Sequence, residues 1–113
     1  MKKQKEINLT AITVSEDNMD SKLEECFGKS RFFFIADIDN KNYKFLKNPG
    51  LEFTNMTGKQ AALFLIRNGV KTVVSSNFGV SVKKIFDKNK IQIVILSNKY
   101  KFLKDIEWIT QIT

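Results

Sequence analysis

Apolar positions along the chain fall into blocks of two different periods. Ile7 to Val14 carries Ile, Leu, Ala and Val with Thr and Asn but no charge, which suits a strand covered on both faces and central in its sheet. Arg31 to Asp37 and Asn42 to Lys47 are aromatic-rich runs separated by Ile38-Asp39-Asn40-Lys41, turn chemistry that closes an antiparallel hairpin. The second run alternates Tyr43 and Phe45 with Lys44 and Leu46 and reads as an edge. Asn48-Pro49-Gly50 then breaks the chain.

Thr57 to Asn68 predicts a helix with Gly69 at its stop, and its Ala61 to Ile66 run is too apolar to face water except at the ends. Lys71 to Ser76 predicts a short buried strand, and Asn77-Phe78-Gly79 turns into a second helix, Val80 to Lys88, with Val82, Ile85 and Phe86 on one face. Ile91 to Leu96 is another apolar strand. Tyr100 to Ile112 closes the chain as a helix bearing Leu103, Ile106, Ile109 and Ile112. Between Ser15 and Ser30 the residues are polar and acidic, broken by Leu23, Cys26, Phe27 and Gly28, so a long loop with one helical turn is expected, and ordered loops of that length carry function.

Alternating strands and helices in the second half require right-handed crossovers and a parallel sheet, to which the first three strands add an antiparallel part. The expected architecture is α/β: a mixed five-stranded sheet in three layers, with helices on both faces. Ligands of such sheets sit beyond the carboxyl ends of the parallel strands. Three segments meet there: Ser15 to Gly28, Asn48 to Gly58, and Ser75 to Gly79.

A chain of 113 residues with 42% hydrophobic and 27% charged residues and one proline is expected to form one domain, residues 1–113, with a real core, and its composition excludes disordered and fibrous classes. No apolar run approaches the roughly 18 residues of a bilayer crossing. The start, Met1-Lys2-Lys3-Gln4-Lys5-Glu6, has the charge of a secretory signal, but Asn8, Thr10 and Thr13 interrupt the apolar stretch behind it; a cytoplasmic protein is expected. A lone cysteine, Cys26, fits a reducing compartment.

Net charge is +7, and from Asn40 to Lys104 thirteen Lys or Arg face only Glu52 and Asp87, while the acids gather between Glu16 and Glu25. This balance favours anionic partners such as nucleic acid, phosphates or an anionic metal cluster, or else marks a solvated lysine-rich surface. The chain contains no histidine, which excludes mechanisms built on an imidazole base or ligand. Gly58, Gly69 and Gly79 stand alone, so there is neither a phosphate loop nor a dinucleotide fingerprint. A two-metal nuclease needs several carboxylates at strand ends, and Asp37 and Asp39 have no acidic partners at the ends of the later strands.

What remains is a site of helix N-termini and one soft ligand. Ser76-Asn77-Phe78-Gly79 and Asn55-Met56-Thr57-Gly58 each lead into a helix, presenting free N–H groups and the positive end of a dipole to an anion. The alternative is that Ser76, Asn77 and Thr57 only cap their helices. Cys26 is either a thiolate, favoured by Lys29 and Arg31 and suited to iron–sulfur species, or a small buried hydrophobe. One thiolate does not complete a cluster that takes four, so a cluster bound here is already assembled and coordinated. Met19 and Met56 offer thioether contacts or simple packing.

Glu25-Cys26-Phe27-Gly28-Lys29-Ser30, the Phe-rich strand after it, Asn48-Pro49, the helix start Gly58-Lys59-Gln60-Ala61-Ala62, and Gly69-Val70-Lys71-Thr72-Val73-Val74 followed by Asn77-Phe78-Gly79 together resemble the dinitrogenase iron-molybdenum cofactor biosynthesis family. The resemblance runs from about Ile7 to Ile112. It implies a ribonuclease H-like fold without nuclease activity, and a non-enzymatic protein that carries or stores the iron-molybdenum cofactor or its iron–sulfur precursor between cluster-assembly proteins. Members often have Glu-His-Phe-Gly where this chain has Glu25-Cys26-Phe27-Gly28, and a Gly/His-rich stretch where it has Phe53-Thr54-Asn55-Met56-Thr57-Gly58. On this reading Cys26 is the metal ligand, and Cys26, Gly28, Met56, Gly58, Ser76, Asn77 and Gly79 surround the cluster. The alternative is a small nucleic-acid or protein-binding regulatory module on the same fold, although no aromatic-interleaved single-strand-binding motif is present. A monomer or weak homodimer is expected, because the lysines of Asn42 to Lys47 oppose edge pairing.

Overall fold

The uncharged run Leu9–Val14 takes the centre of the sheet and the lysine-bearing run Asn42–Lys47 takes one of its edges. The computed structural model describes residues 7–53 and 55–112; the lysine-rich start with its signal-like charge, residues 1–6, and Thr54 of the Phe53–Gly58 stretch lie outside the described residues. The strands are β1 (Leu9–Val14), β2 (Phe32–Asp37), β3 (Asn42–Lys47), β4 (Val70–Ser75) and β5 (Gln92–Ile95), and the helices are α1 (Thr57–Arg67), α2 (Val80–Lys88) and the short α3 (Ile109–Ile112). One five-stranded sheet has the order β3-β2-β1-β4-β5. β1 pairs antiparallel with β2 and parallel with β4, β2 pairs antiparallel with β3, and β4 parallel with β5. As expected, uncharged β1 is central, β3 is an edge, and the sheet is mixed.

Alternate residues of the central strands feed two cores. Ala11, Phe33, Ile35 and Val73 pack under α1 and α2 through Ala61, Leu65, Val82 and Phe86. Ile12, Val14, Phe34, Ala36 and Val74 pack on the other face under Leu103, Ile106, Ile109 and Ile112. Leu9 pairs with Val70 but Thr10 with Thr72, and this slip of one residue lets Val70 and Val73, three apart, both reach the first core.

One element differs from expectation. The predicted helix Tyr100 to Ile112 is a 3-10 turn at Leu103–Asp105, an extended Ile106 and the four-residue α3. Its four apolar residues are all buried, yet they are spaced uniformly by three. An α-helix advances about 100° per residue, so steps of three walk around its surface instead of keeping to one side; opening the chain at Ile106 lets all four face the sheet. The apolar run Ile91 to Leu96 forms strand β5 as expected, and it is the second edge of the sheet: no strand lies beyond it in the order, and Ile95 is 61% exposed.

Candidate functional site

The long loop is fastened to the carboxyl ends of β1 and β4 by buried hydroxyls. The Thr13 and Ser75 hydroxyls lie 2.7 Å apart; Thr13 Oγ1 also lies 2.7 Å from the Glu24 carbonyl, and Ser75 Oγ 3.3 Å from that of Glu25. The Glu24 N–H donates to the Thr13 carbonyl at 3.0 Å. A second brace is Asn48, whose amide donates to the Ser30 carbonyl and accepts from the Gly50 N–H, both at 2.8 Å. The side chains of Thr13, Ser75 and Asn48 are buried and partnered, so loss of one leaves its partner unsatisfied.

Aromatic rings carry the next segments into place. Phe27 is fully buried and its ring lies 5.5 Å from that of Phe78 and 5.4 Å from that of Phe86. The Phe27 N–H donates to the Asn77 carbonyl at 2.9 Å, and Cys26 runs beside Asn77 as an isolated parallel bridge. Cys26-Phe27-Gly28 and Asn77-Phe78-Gly79 are thus held side by side by two rings pointing into the first core. A Cβ on Gly28 would lie 3.5 Å from Gly58 Cα, and one on Gly58 2.9 Å from Val82 Cγ2. The three loop segments therefore converge, with glycine where they approach closest.

Between the starts of α1 and α2 opens a groove of about 490 Å³ lined by Met56–Lys59 and Gly79–Val82. Met56 precedes α1 and Gly79 precedes α2; neither helix has a side-chain cap, and neither has an acidic residue in its first turn. The capping role open to Ser76, Asn77 and Thr57 is therefore not the one they have. The first intrahelical bonds run from Gln60 N–H to the Met56 carbonyl and from Lys83 N–H to the Gly79 carbonyl, so helix geometry leaves the N–H groups of Thr57, Gly58, Lys59, Val80, Ser81 and Val82 without intrahelical acceptors. Met56 has φ 63°, a left-handed conformation that costs a non-glycine residue about 1–2 kcal/mol. Lys59 adds a full positive charge to the positive end of the α1 dipole.

Met56, Gly58 and Gly79 line the groove, and Gly28 abuts it at Gly58. Cys26, Ser76 and Asn77 stand outside that lining, joined to it through Gly28 and Gly79. Cys26 is half-buried and its N–H donates to Glu24 Oε1 at 3.3 Å, so a carboxylate is the charged group the structure sets beside it. Lys29 and Arg31 are exposed. Met19 is away from the groove and packs against the second core. Among the described residues no three His, Cys, Asp or Glu side chains gather closely enough to hold a metal ion. The residues that sequence reasoning missed are Thr13, Ser75, Ser30 and Asn48. Thr13 and Ser75, hydroxyl residues inside strands, look like ordinary strand formers, while Ser30 and Asn48 stood in the sequence only as members of short motifs; burial and bonding mark all four.

The sequence over residues 8–106 matches the model of the family described as dinitrogenase iron-molybdenum cofactor. The chain belongs to that family. The same fold recurs in the apo orange protein from Desulfovibrio gigas, with a TM-score of 0.79 at 15% identity, over 93% of this chain and 88% of that one. It recurs too in a NifB-like protein of the DUF35 family from Thermotoga, with a TM-score of 0.74 at 17% identity, over 88% of this chain and 83% of that one. No curated protein matches the sequence. Membership of the dinitrogenase iron-molybdenum cofactor family associates the chain with cofactor biosynthesis, as the order of its short motifs leads one to expect. No helix among the described residues is long and apolar enough to cross a membrane.

Proposed function

We propose that this family member is a non-enzymatic cytoplasmic carrier whose cargo is an anionic, preassembled iron-molybdenum cofactor or iron–sulfur precursor passed between assembly proteins. One observation carries the reading: two helix N-termini without side-chain caps open onto one groove beside the segment that bears the chain's single thiol. Free N–H groups and aligned dipoles favour an anion without demanding a particular one. Cys26 supplies one soft ligand, suited to iron–sulfur species. Since no set of three ligands exists among the described residues, the cargo brings its own coordination and the chain contributes one exchangeable bond plus electrostatic seating. The absence of histidine and of an acid–base pair at the groove supports carriage over catalysis. The order β3-β2-β1-β4-β5 supports a ribonuclease H-like classification of the sheet.

The test is anaerobic mixing with a synthetic, thiolate-capped cluster of four irons and four sulfides, followed by desalting, iron quantitation and visible absorption. Wild type is expected to retain the cluster, and Cys26→Ala to retain roughly tenfold less or lower still, since losing an outer-shell partner alone costs that much. Iron on neither protein would end the proposal, and equal iron on both would remove Cys26 from it.

A further inference from the structure

The outer edge of β5 is open, and the groove beside it is both apolar and basic. Leu96 N–H donates to the Ser75 carbonyl at 3.0 Å. Because backbone direction alternates along a strand, Gln92, Val94 and Leu96 turn their N–H and C=O groups toward β4, and those of Ile93 and Ile95 point away from the sheet. Ile93 and Ile95 pair with Val73 and Ser75 and so project their side chains on the face that carries α2. There, with Lys83, Lys84 and Asp87 of α2, they line a groove of about 470 Å³. Four lysines, Lys83, Lys84, Lys88 and Lys90, face one acid, Asp87, over this stretch, and the ion pair found among the described residues is elsewhere, between Lys104 and Asp20.

We infer that this edge receives an extended, acidic segment of a partner protein, which adds to β5 as a sixth strand. The chemistry is that of strand addition: main-chain bonds supply affinity and alternate side chains supply selectivity. The outward N–H and C=O groups of Ile93 and Ile95 pair with the incoming backbone, apolar side chains cover the two isoleucines, and carboxylates meet Lys83 and Lys84. The other edge is built differently. β3 carries Lys44 and Lys47 on the strand itself and Lys41 just before it, the usual protection against added strands, whereas Gln92-Ile93-Val94-Ile95 has no charge. A second copy of this chain would bring two lysine-lined walls together, which like-charge repulsion opposes. The two grooves draw on successive stretches of one segment: Gly79–Val82 line the first and Lys83, Lys84 and Asp87 the other. A segment docked on β5 therefore meets the same helix whose start lines the proposed cargo groove, although the docking itself requires no cargo.

The experiment uses the cargo-free protein and the acidic peptide Glu-Asp-Val-Ile-Val-Asp-Glu, with binding read by fluorescence anisotropy and amide protection by hydrogen exchange. The peptide is expected to bind at low salt, to weaken as salt is raised, and to slow exchange at Ile93 and Ile95. Lys83→Glu with Lys84→Glu is expected to weaken it at least roughly tenfold, while the equal charge change Lys44→Glu with Lys47→Glu on the β3 edge leaves it nearly unchanged. A version of the peptide methylated on its central amides keeps every charge but cannot pair as a strand, and is expected not to protect β5. Equal binding of the methylated peptide, protection at β3 instead of β5, no binding at low salt, or concentration-dependent protection of Ile93 and Ile95 in the protein alone would each overturn the inference. None of these results bears on iron retention, so this proposal and the carrier proposal fail separately.

Discussion

Gly50 and Gly79 look equivalent in the sequence and are opposite in the structure. A Cβ on Gly50 would lie 2.5 Å from the Thr57 carbonyl oxygen and 3.0 Å from the Ala61 nitrogen, both backbone atoms of α1. Gly79 has φ −68° and no heavy atom within 4 Å of such a Cβ. Gly50→Ala is therefore expected to lose about 1–3 kcal/mol by overpacking, and Gly79→Ala to stay within about 1 kcal/mol of wild type. Urea denaturation midpoints of the two variants check this, and equal losses would contradict the packing described for the start of α1. Met56, Gly58 and Gly79, singled out in the sequence at the starts of the two helices, do line the groove, whereas Cys26, singled out as the lone thiol, stands outside its lining. Thr13 and Ser75 were not legible, because a hydroxyl on a strand gains its meaning only when another chain segment ends above it.

At the scale of elements, the C-terminal segment shows how a side chain replaces a predicted helix. Asp105 Oδ2 accepts from the N–H groups of Phe102 and Lys101 at 2.9 and 3.0 Å, and these bonds, that of Phe102 foremost, hold its carboxyl below the ordinary value of 3.8. The same segment ties down the loop that leads to Cys26: Leu23 N–H donates to the Lys101 carbonyl at 2.9 Å and Leu103 N–H to the Ser21 carbonyl at 3.0 Å. A carboxyl whose value falls on folding stabilises fully above its unfolded value and loses that contribution as pH drops through the folded one. The amide resonances of Lys101 and Phe102 are accordingly expected to stay constant from neutrality down to about pH 5 and to titrate with a midpoint below that of a free aspartate. Asp105→Asn should abolish the titration, and a midpoint at or above the free value would refute the capping geometry.

For the whole molecule, the two cores share one sheet. β1, β2 and β4 supply alternate residues to both, so neither core is complete without the strands of the other. One cooperative transition is expected on heating or in urea. Fluorescence of Trp108, which packs against the second core, should coincide with far-ultraviolet circular dichroism, to which α1 and α2 over the first core contribute; separated transitions would show that the two faces fold independently.

By itself the sequence determined the order and type of the elements before the C-terminal segment, the central place of β1, the lysine-marked edge at β3 and two of the segments that border the groove. These come from periodicity, charge and turn chemistry, which act over a few residues. Only the tertiary structure decided that the helix starts carry no side-chain caps, that Phe27 and Phe78 stack to set Cys26 beside Asn77, and that β5 is left as a second open edge. Those features depend on which residues meet across large separations in the chain, and a local pattern holds no record of such meetings.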